Sequence, residues 1–385
     1  MPVKRIVFEW AAALFAIAML TYMLSRITGA ENMTLPSGQP FFGDFMAFWS
    51  AGRAALDGHV AQVHERALLW QYQQAIAPDV RFYAPWNSPP TFLLIVSLLA
   101  LLPYPVAAIV FLVGTALFFG AVIRRFLPDG RAMLFPATAP AILYHVGTVQ
   151  AGMLIGGVAG LALHWLDKRP RAAGALVALL AIKPHLAILW PMFLALSGRW
   201  GAFWSAAIAT AAFVTLAGIV FGPDAYVRWF DSLANSQRLV SAQLITTPAY
   251  ASLYANLLGL GVSNVMALTL HALSAAAAVA IACFLFRGGD RSIAGAALCA
   301  ATLLVSPYLF FYDFVLLLIG AALLGIPRTR LELAAAIAAW GAGLTVAIGE
   351  FIALPLCPLA AWLVLAAAFM RARSAASRPA PALQP

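Results

Sequence analysis

The chain has 385 residues, of which 63% are hydrophobic and only 10% charged, with mean hydropathy +0.91. Soluble domains carry roughly 25% charged residues, so this composition excludes a soluble globular protein and points to an all-α polytopic membrane protein. The net charge of +9 does not indicate a nucleic-acid partner, because the basic residues lie beside apolar runs, as they do in cytoplasmic loops.

The first apolar run, about Ile6 to Thr28, follows Lys4 and Arg5 and has no convincing small-x-small cleavage site, so it reads as a retained anchor with a cytoplasmic N-terminus. A polar and aromatic first external loop follows, over 29–88, or 29–103 with the helix that closes it. Within it Phe45, Phe48, Trp49, Gly52 and Leu56 recur at helical spacing, which predicts an amphipathic helix lying along the membrane surface. Asp44 stands at its start, where a carboxylate could take a proton from a hydroxyl or simply cap the helix. A second amphipathic stretch runs from His59 to Ala77, and Pro89-Pro90 resets the chain direction.

Thr91 to Leu102 is apolar but too short for the roughly 20 residues a crossing needs, so a re-entrant or half-depth helix is expected, with a true span at Tyr104 to Ile123. Further apolar runs lie at 132–147, 150–166, 172–182, 186–197, 201–221, 256–286, 292–306, 313–326, 331–349 and 353–370. Roughly twelve crossings result. The 172–182 and 186–197 runs are also short and read as a tight hairpin broken at Lys183-Pro184. Basic turns at Lys168 to Arg171, Arg199, Arg287/Arg291 and Arg328/Arg330 keep both termini cytoplasmic, with a second external loop over 222–255. Residues 1–370 form one transmembrane domain, and 371–385 read as a disordered cytoplasmic tail. Cys283, Cys299 and Cys357 sit in apolar runs and read as buried small hydrophobes.

With that topology the polar residues of the apolar runs collect at the external face. Lys183 interrupts a long apolar stretch just before a proline. An ionisable group so placed costs roughly 2.5–3.5 kcal/mol on insertion scales and marks function by default. It could hold a phosphate, or snorkel to the interface. His185 could donate to the same phosphate or be a satisfied core histidine, and Asp313 could orient substrate hydroxyls or pair with Lys183 or Arg53. Tyr308 and Tyr312 read as belt anchors or ligands, Gln150 is a weak signal alone, and His145 and His164 read as structural. No acid or histidine cluster has metal-ligand spacing, and no phosphate loop is present.

Several stretches taken together resemble glycosyltransferase family 87, of the GT-C superfamily. They are Gly43-Asp44-Phe45 with Phe48-Trp49 and Ala51-Gly52-Arg53; Trp86-Asn87-Ser88-Pro89-Pro90; Ala173-Gly174 running to Ile182-Lys183-Pro184-His185-Leu186; and Ser306-Pro307-Tyr308-Leu309 with Tyr312-Asp313. The resemblance covers about residues 40–325 and departs at Ser88, where the family often has tyrosine, and at Val149, where it often has glycine. It implies a GT-C bundle of roughly a dozen helices with its active site at the external face of the plasma (inner) membrane. It further implies Asp44 as catalytic base; Lys183, His185 and Arg53 at the donor phosphate; and Gln150, Tyr308, Tyr312 and Asp313 at the substrates. A hexose, mannose foremost, would pass by inversion from a polyprenyl-phosphate donor to a lipid or glycan acceptor among the membrane lipids, with no metal and no other cofactor. The reading from another class is a transporter or flippase of lipid-linked saccharides, which requires a polar path through the whole bundle.

Overall fold

A computed structural model describes residues 2–241, 250–288, 290–344 and 356–376. They are helical, with only isolated bridges among them at Glu31–Thr34, Thr34–Pro40 and Tyr250–Phe310. In chain order the helices are α1 (Pro2–Ile27), α2 (Phe45–Leu56), α3 (Arg66–Ile76), α4 (Pro90–Leu99), α5 (Tyr104–Ile123) and α6 (Leu134–Ala137). Next come α7 (Pro140–Thr148), α8 (Gly152–Trp165), α9 (Pro170–Ala178), α10 (Trp190–Leu196), α11 (Trp200–Phe221) and α12 (Asp224–Ser241). The rest are α13 (Leu253–Gly259), α14 (Asn264–Phe286), α15 (Arg291–Val305), α16 (Val315–Leu324), α17 (Arg330–Gly341) and α18 (Leu356–Ala376).

Four described stretches are long and apolar enough to cross a membrane: 104–126, 200–221, 264–286 and 356–376. Apart from α1, whose 26 residues include the apolar stretch Ala13–Ser25, the remaining apolar helices run 10–17 residues, so at about 1.5 Å per residue they fall short of a ~30 Å hydrocarbon core. Three of them set the architecture. α8 (Gly152–Trp165) lies between Gln150 and Asp167, α15 (Arg291–Val305) ends just before Ser306, and α16 (Val315–Leu324) begins just after Asp313. They define a polar-core end, where Gln150, Ser306 and Asp313 lie, and an arginine-rich end, where Asp167 meets Arg199 and Arg291, and Glu332 meets Arg371.

α2 departs from its expectation. It does not lie on a surface with one wet face: Phe45, Met46, Ala47, Phe48, Ser50, Ala51, Gly52 and Ala54 are all buried, while Leu56 is exposed. Its small residues allow this burial, since a Cβ on Gly52 would run into the Val96 carbonyl of α4. Phe45 and Phe48 then pack into a cluster with Trp86, Phe92, Tyr104 and Phe111.

Other boundaries also move. The run at 132–147 is cut just before Pro140 into α6 and α7, because proline cannot donate within a helix and starts a new one instead. The run at 256–286 is broken after Gly259, and α14 restarts where Ser263 caps the Met266 N–H. The 59–77 stretch is a short 3-10 turn over Val60–Gln62 followed by α3. The 222–255 stretch, expected as a loop, contains an 18-residue helix, α12; its Asp224, Arg228 and Asp231 read as loop residues in the sequence. The chain does break at Lys183, but the two halves do not form a tight hairpin: α9 packs on α8 and α11, whereas α10 packs on α11, α14 and α15. The tail expected to be disordered from 371 stays helical to Ala376, and 377–385 lie outside the described residues, as do 345–355, which take in the end of the expected 331–349 run and the start of the 353–370 run. Cys299 and Cys357 are buried and Cys283 is half-buried, all three as free thiols.

Candidate active site

Asp44 is set by the turn before α2. Gly43 has φ +53, and a Cβ there would lie 2.6 Å from the Gly147 carbonyl oxygen and 2.8 Å from the Thr148 Cα, so only glycine lets this turn press on the end of α7. Asp44 itself has φ −69 and ψ −14, and its side chain makes no cap hydrogen bond. The capping role is therefore not what the carboxylate does. Instead its Oδ2 accepts from Gln150 Nε2 at 2.8 Å, across 106 residues of chain. Asp44 is only half-buried, but the protein atoms crowded around it raise its carboxyl above the usual carboxylate range, against the lowering effects of Gln150 and the Lys183 charge.

Gln150 is held by an unusual backbone. Val149, fully buried, closes α7 in the left-handed region at φ 47 and ψ 51, with its N–H donating to the His145 carbonyl at 2.8 Å. A β-branched residue is strained there, and glycine is the residue that fits without cost. The departure noted at 149 thus falls on a backbone position that asks for glycine. With its Oε1 accepting from Ala151 N–H and its Nε2 on Asp44, Gln150 is a positioning group for the carboxylate.

Lys183 stands at the break between α9 and α10 with φ −138 and ψ 76. Thr91 at the start of α4 fixes that break by donating to the Ala181 carbonyl at 2.7 Å. The Lys183 ammonium lies 2.7 Å from Asp313 Oδ1 and 4.5 Å above the Tyr312 ring. Asp313 is almost completely buried, and its Oδ2 accepts from the Phe310 N–H at 3.1 Å. Of its two foreseen partners, then, Asp313 takes Lys183. Tyr312 stacks on Phe310 with centroids 5.2 Å apart, and Phe310 packs against Tyr250. The half-buried His185 ring is within electrostatic reach of both Lys183 and Asp313, and Tyr312 within reach of both Asp44 and Asp313.

Asp44, Gln150, Lys183, His185, Tyr312 and Asp313 thus come together from four separate stretches of chain. Two foreseen residues do not join them. Arg53 is nine residues along α2, about 13 Å away at helical rise, where it grips Asp57 through Nε and NH2 at 3.2 and 2.8 Å. Tyr308 packs to the side, against Tyr254 at 5.9 Å between centroids.

One neighbour went unforeseen. His145 is fully buried beneath the cluster, with Nδ1 2.6 Å from the Ala141 carbonyl and its ring against Tyr312. That bond makes Nδ1 the donor and leaves Nε2 an acceptor without a protein partner. Gly152 makes room for it, since a Cβ there would meet the Tyr312 carbonyl and lie 2.5 Å from His145 Nε2. Nothing in the linear pattern separates His145 from a core histidine. Among the described residues, no three His, Cys, Asp or Glu side chains converge as a metal site.

Residues 86–307, more than half of the chain, match the family model of glycosyltransferase family 87. The chain belongs to glycosyltransferase family 87. It is a membrane glycosyltransferase, acting on a sugar donor and an acceptor. The matched segment contains Gln150, Lys183 and His185, while Asp44, Tyr312 and Asp313 lie outside it. No curated protein and no solved structure matches the chain.

Proposed function

We propose that this family 87 member transfers a hexose, mannose foremost, from a polyprenyl-phosphate donor to a lipid or glycan acceptor, with inversion at the anomeric carbon. Asp44 accepts the proton of the acceptor hydroxyl as its oxygen bonds to the anomeric carbon. The bond from that carbon to the donor phosphate oxygen breaks, and its electron pair leaves with the phosphate. The transition state has oxocarbenium character, as in glycoside hydrolysis, so negative charge grows on the departing group. Lys183 meets that charge, with His185 beside it. An ammonium has three N–H donors, so the Asp313 contact leaves two for phosphate oxygens. The ring of Tyr312, below the ammonium, and the side chain of Gln150, behind Asp44, order the two groups rather than consume substrate.

One observation carries this reading: a carboxylate and an ammonium, 139 positions apart in sequence, face the same polar cluster at one end of the bundle. The short helices that lead to it support a lipid-linked donor, because a site at their ends is sunk below the membrane surface, at the depth a polyprenyl phosphate reaches. The gathering of polar residues at one end also argues against a transport path. In this reading the bundle makes about twelve crossings or part-crossings, with a re-entrant α4. Its site faces outward from the plasma membrane, both termini are cytoplasmic, and neither metal nor nucleotide is required.

The test is to incubate the purified protein in nanodiscs with a panel of polyprenyl-phosphate sugars and native lipids, and to identify products by mass. One donor should give a product one hexose heavier than an acceptor lipid or glycan. Asp44→Asn should lower its formation by about 10²–10⁴-fold, the usual worth of a general base. Turnover by Asp44→Asn at the parent rate removes the base assignment, and failure of every polyprenyl donor removes the donor class.

A further inference from the structure

α12 is too polar to cross a membrane, since its 18 residues carry Asp224, Arg228, Asp231 and Arg238. It nevertheless leaves large apolar side chains uncovered, with Val227 59% and Phe230 60% exposed. At about 100° per residue, the side chains of 224–235 divide into three sectors rather than two. The first faces the protein. Ala225 and Trp229 are buried, the Trp229 indole donates to the Asn87 carbonyl at 3.0 Å, and Ser232 donates to Asn87 Oδ1 at 3.2 Å. Round the helix in one direction follow Leu233, Tyr226, Phe230, Ala234 and Val227. In the other direction follow Arg228, Asn235, Asp224 and Asp231. One flank is therefore apolar and the other charged.

The neighbour of the apolar flank identifies what covers it. Tyr226, within that flank, donates to the Val214 carbonyl of α11 at 2.8 Å, and a Cβ on Gly218 would lie 3.7 Å from its ring. The apolar flank thus turns to the α11 side, and the charged flank turns away from it. α11 is long and apolar enough to cross, and its apolar window is only 11% buried, so hydrocarbon surrounds most of it. Leu216, Ile219 and Val220 are exposed at the end of α11 from which α12 sets off. That end belongs to the polar-core end of the bundle, because Arg199, just before α11, pairs with Asp167 at the other. The hydrocarbon that covers α11 therefore continues beside Phe230 and Val227, while Arg228 and Asp231 are left to headgroups and water.

We infer that α12 is an in-plane interfacial helix, with its Val227 and Phe230 flank set into the acyl chains of the leaflet at the polar-core end and its Arg228 and Asp231 flank in the headgroup layer. The partner of this surface is the bilayer itself. The inference rests on neither the donor nor the acceptor proposed above. A helix with one apolar and one charged side takes this position because each side then keeps the surroundings that suit it. The contacts of Trp229 and Ser232 with Asn87 fix its roll, so the apolar flank cannot turn inward without breaking them.

The test uses the full-length protein with Cys283→Ala, which removes its part-exposed thiol, in phosphatidylcholine nanodiscs. Val227→Cys, Phe230→Cys and Asn235→Cys are introduced singly at exposed positions and labelled with the fluorophore NBD. Nitroxides on lipid acyl chains should quench the labels at Val227 and Phe230. Comparison of shallow and deep nitroxides should place those labels about 5–10 Å below the headgroups, the depth at which such helices ride. Aqueous iodide should quench the label at Asn235 and leave the other two bright. Equal iodide quenching at all three positions overturns the inference, because the flank would then lie in water. Labels at Val227 and Phe230 that neither quencher reaches overturn it as well, because protein, a second copy of this chain included, would then cover the flank.

Discussion

The two ends of the bundle both bring acids and bases into contact, and each holds one buried pair, Glu332 with Arg371 at one and Lys183 with Asp313 at the other, but their remaining charges sit in different surroundings. At the arginine-rich end, Asp167 meets Arg199 and Arg291 with every partner between 29% and 40% exposed. At the polar-core end, Lys183 meets Asp313 with the acid 1% and the lysine 11% exposed, and the half-buried Asp44 has only an amide for a hydrogen-bond partner. Exposed pairs are screened and worth about 0–1 kcal/mol, so the Asp167 pairs contribute little to holding the fold. Buried charge costs more than its pairing returns. Glu332 and Arg371 satisfy each other and the Leu324 carbonyl, whereas Asp44 accepts from an amide and has no cation as ion-pair partner among the described residues, and an ionisable group kept so in an apolar bundle is a functional candidate by default.

The largest effect that sharpens this contrast comes from separating the two roles of Lys183. Lys183→Ala alone leaves the Asp313 carboxylate buried without its cation, a loss of about 3–5 kcal/mol that obscures any catalytic effect. Lys183→Met with Asp313→Asn removes both charges, so its thermal unfolding should return close to that of the parent. Its sugar transfer should stay down by about 10²–10³-fold, the scale of one lost charge-stabilising donor. If the double variant regains turnover along with stability, the lysine is structural and the two ends differ in burial only.

Next in size is the pH dependence of Asp44. Burial raises its carboxyl, so the base form is lost as pH falls through that raised value, and kcat/KM should fall on the acid side. The Gln150 hydrogen bond works in the opposite direction, favouring the carboxylate. Gln150→Ala should therefore move the acid limb to higher pH and cost about tenfold at pH values on that limb, with the alkaline plateau largely kept. A fall in the plateau with an unmoved limb would make Gln150 a substrate ligand rather than a positioning group.

The sequence carries the parts of this site unequally, for physical reasons. Lys183 was legible because an ammonium followed by proline cannot be a routine member of an apolar helix, and the break occurs at that residue. Asp44 was legible as a helix start, but its function divides on a contact 106 residues away that no local pattern contains. Arg53 was assigned to the phosphate through the motif it shares with Asp44, although Asp57 at i+4 on the same helix was a nearer partner visible in the sequence. Helix existence followed apolar runs well. Their ends did not, because Pro140 and the Gly259–Gly261 break cut runs that hydropathy alone leaves whole. The left-handed backbone at Val149 has no sequence signal beyond the departure from glycine.

That backbone supplies a smaller test at the polar-core end. At an ordinary helical position alanine is more stable than glycine by about 0.5–1 kcal/mol. At 149 the order should reverse. Both substitutions remove the buried branched side chain, but only glycine escapes the left-handed penalty of roughly 1–2 kcal/mol. Val149→Gly should melt above Val149→Ala in the same detergent, and the opposite order would mean that the turn relaxes out of the left-handed region.

The smallest effect belongs to the arginine-rich end, and its smallness is what the comparison requires. Asp167→Asn removes the acid from two ion pairs at once, while leaving Arg199 and Arg291 part-exposed to solvent rather than stranded. Each exposed pair is worth roughly 0.2–1 kcal/mol, and shared partners do not add fully. Thermal stability should fall by about 1 kcal/mol or less, and further in low salt than in high, because screening already weakens the pairs in the parent. Sugar transfer should be unchanged, since α8 separates Asp167 from Gln150 by about 21 Å. A loss of turnover comparable to that of the Lys183 double variant would mean that charge at one end is coupled through α8 to the carboxylate at the other, and that the two ends do not act independently.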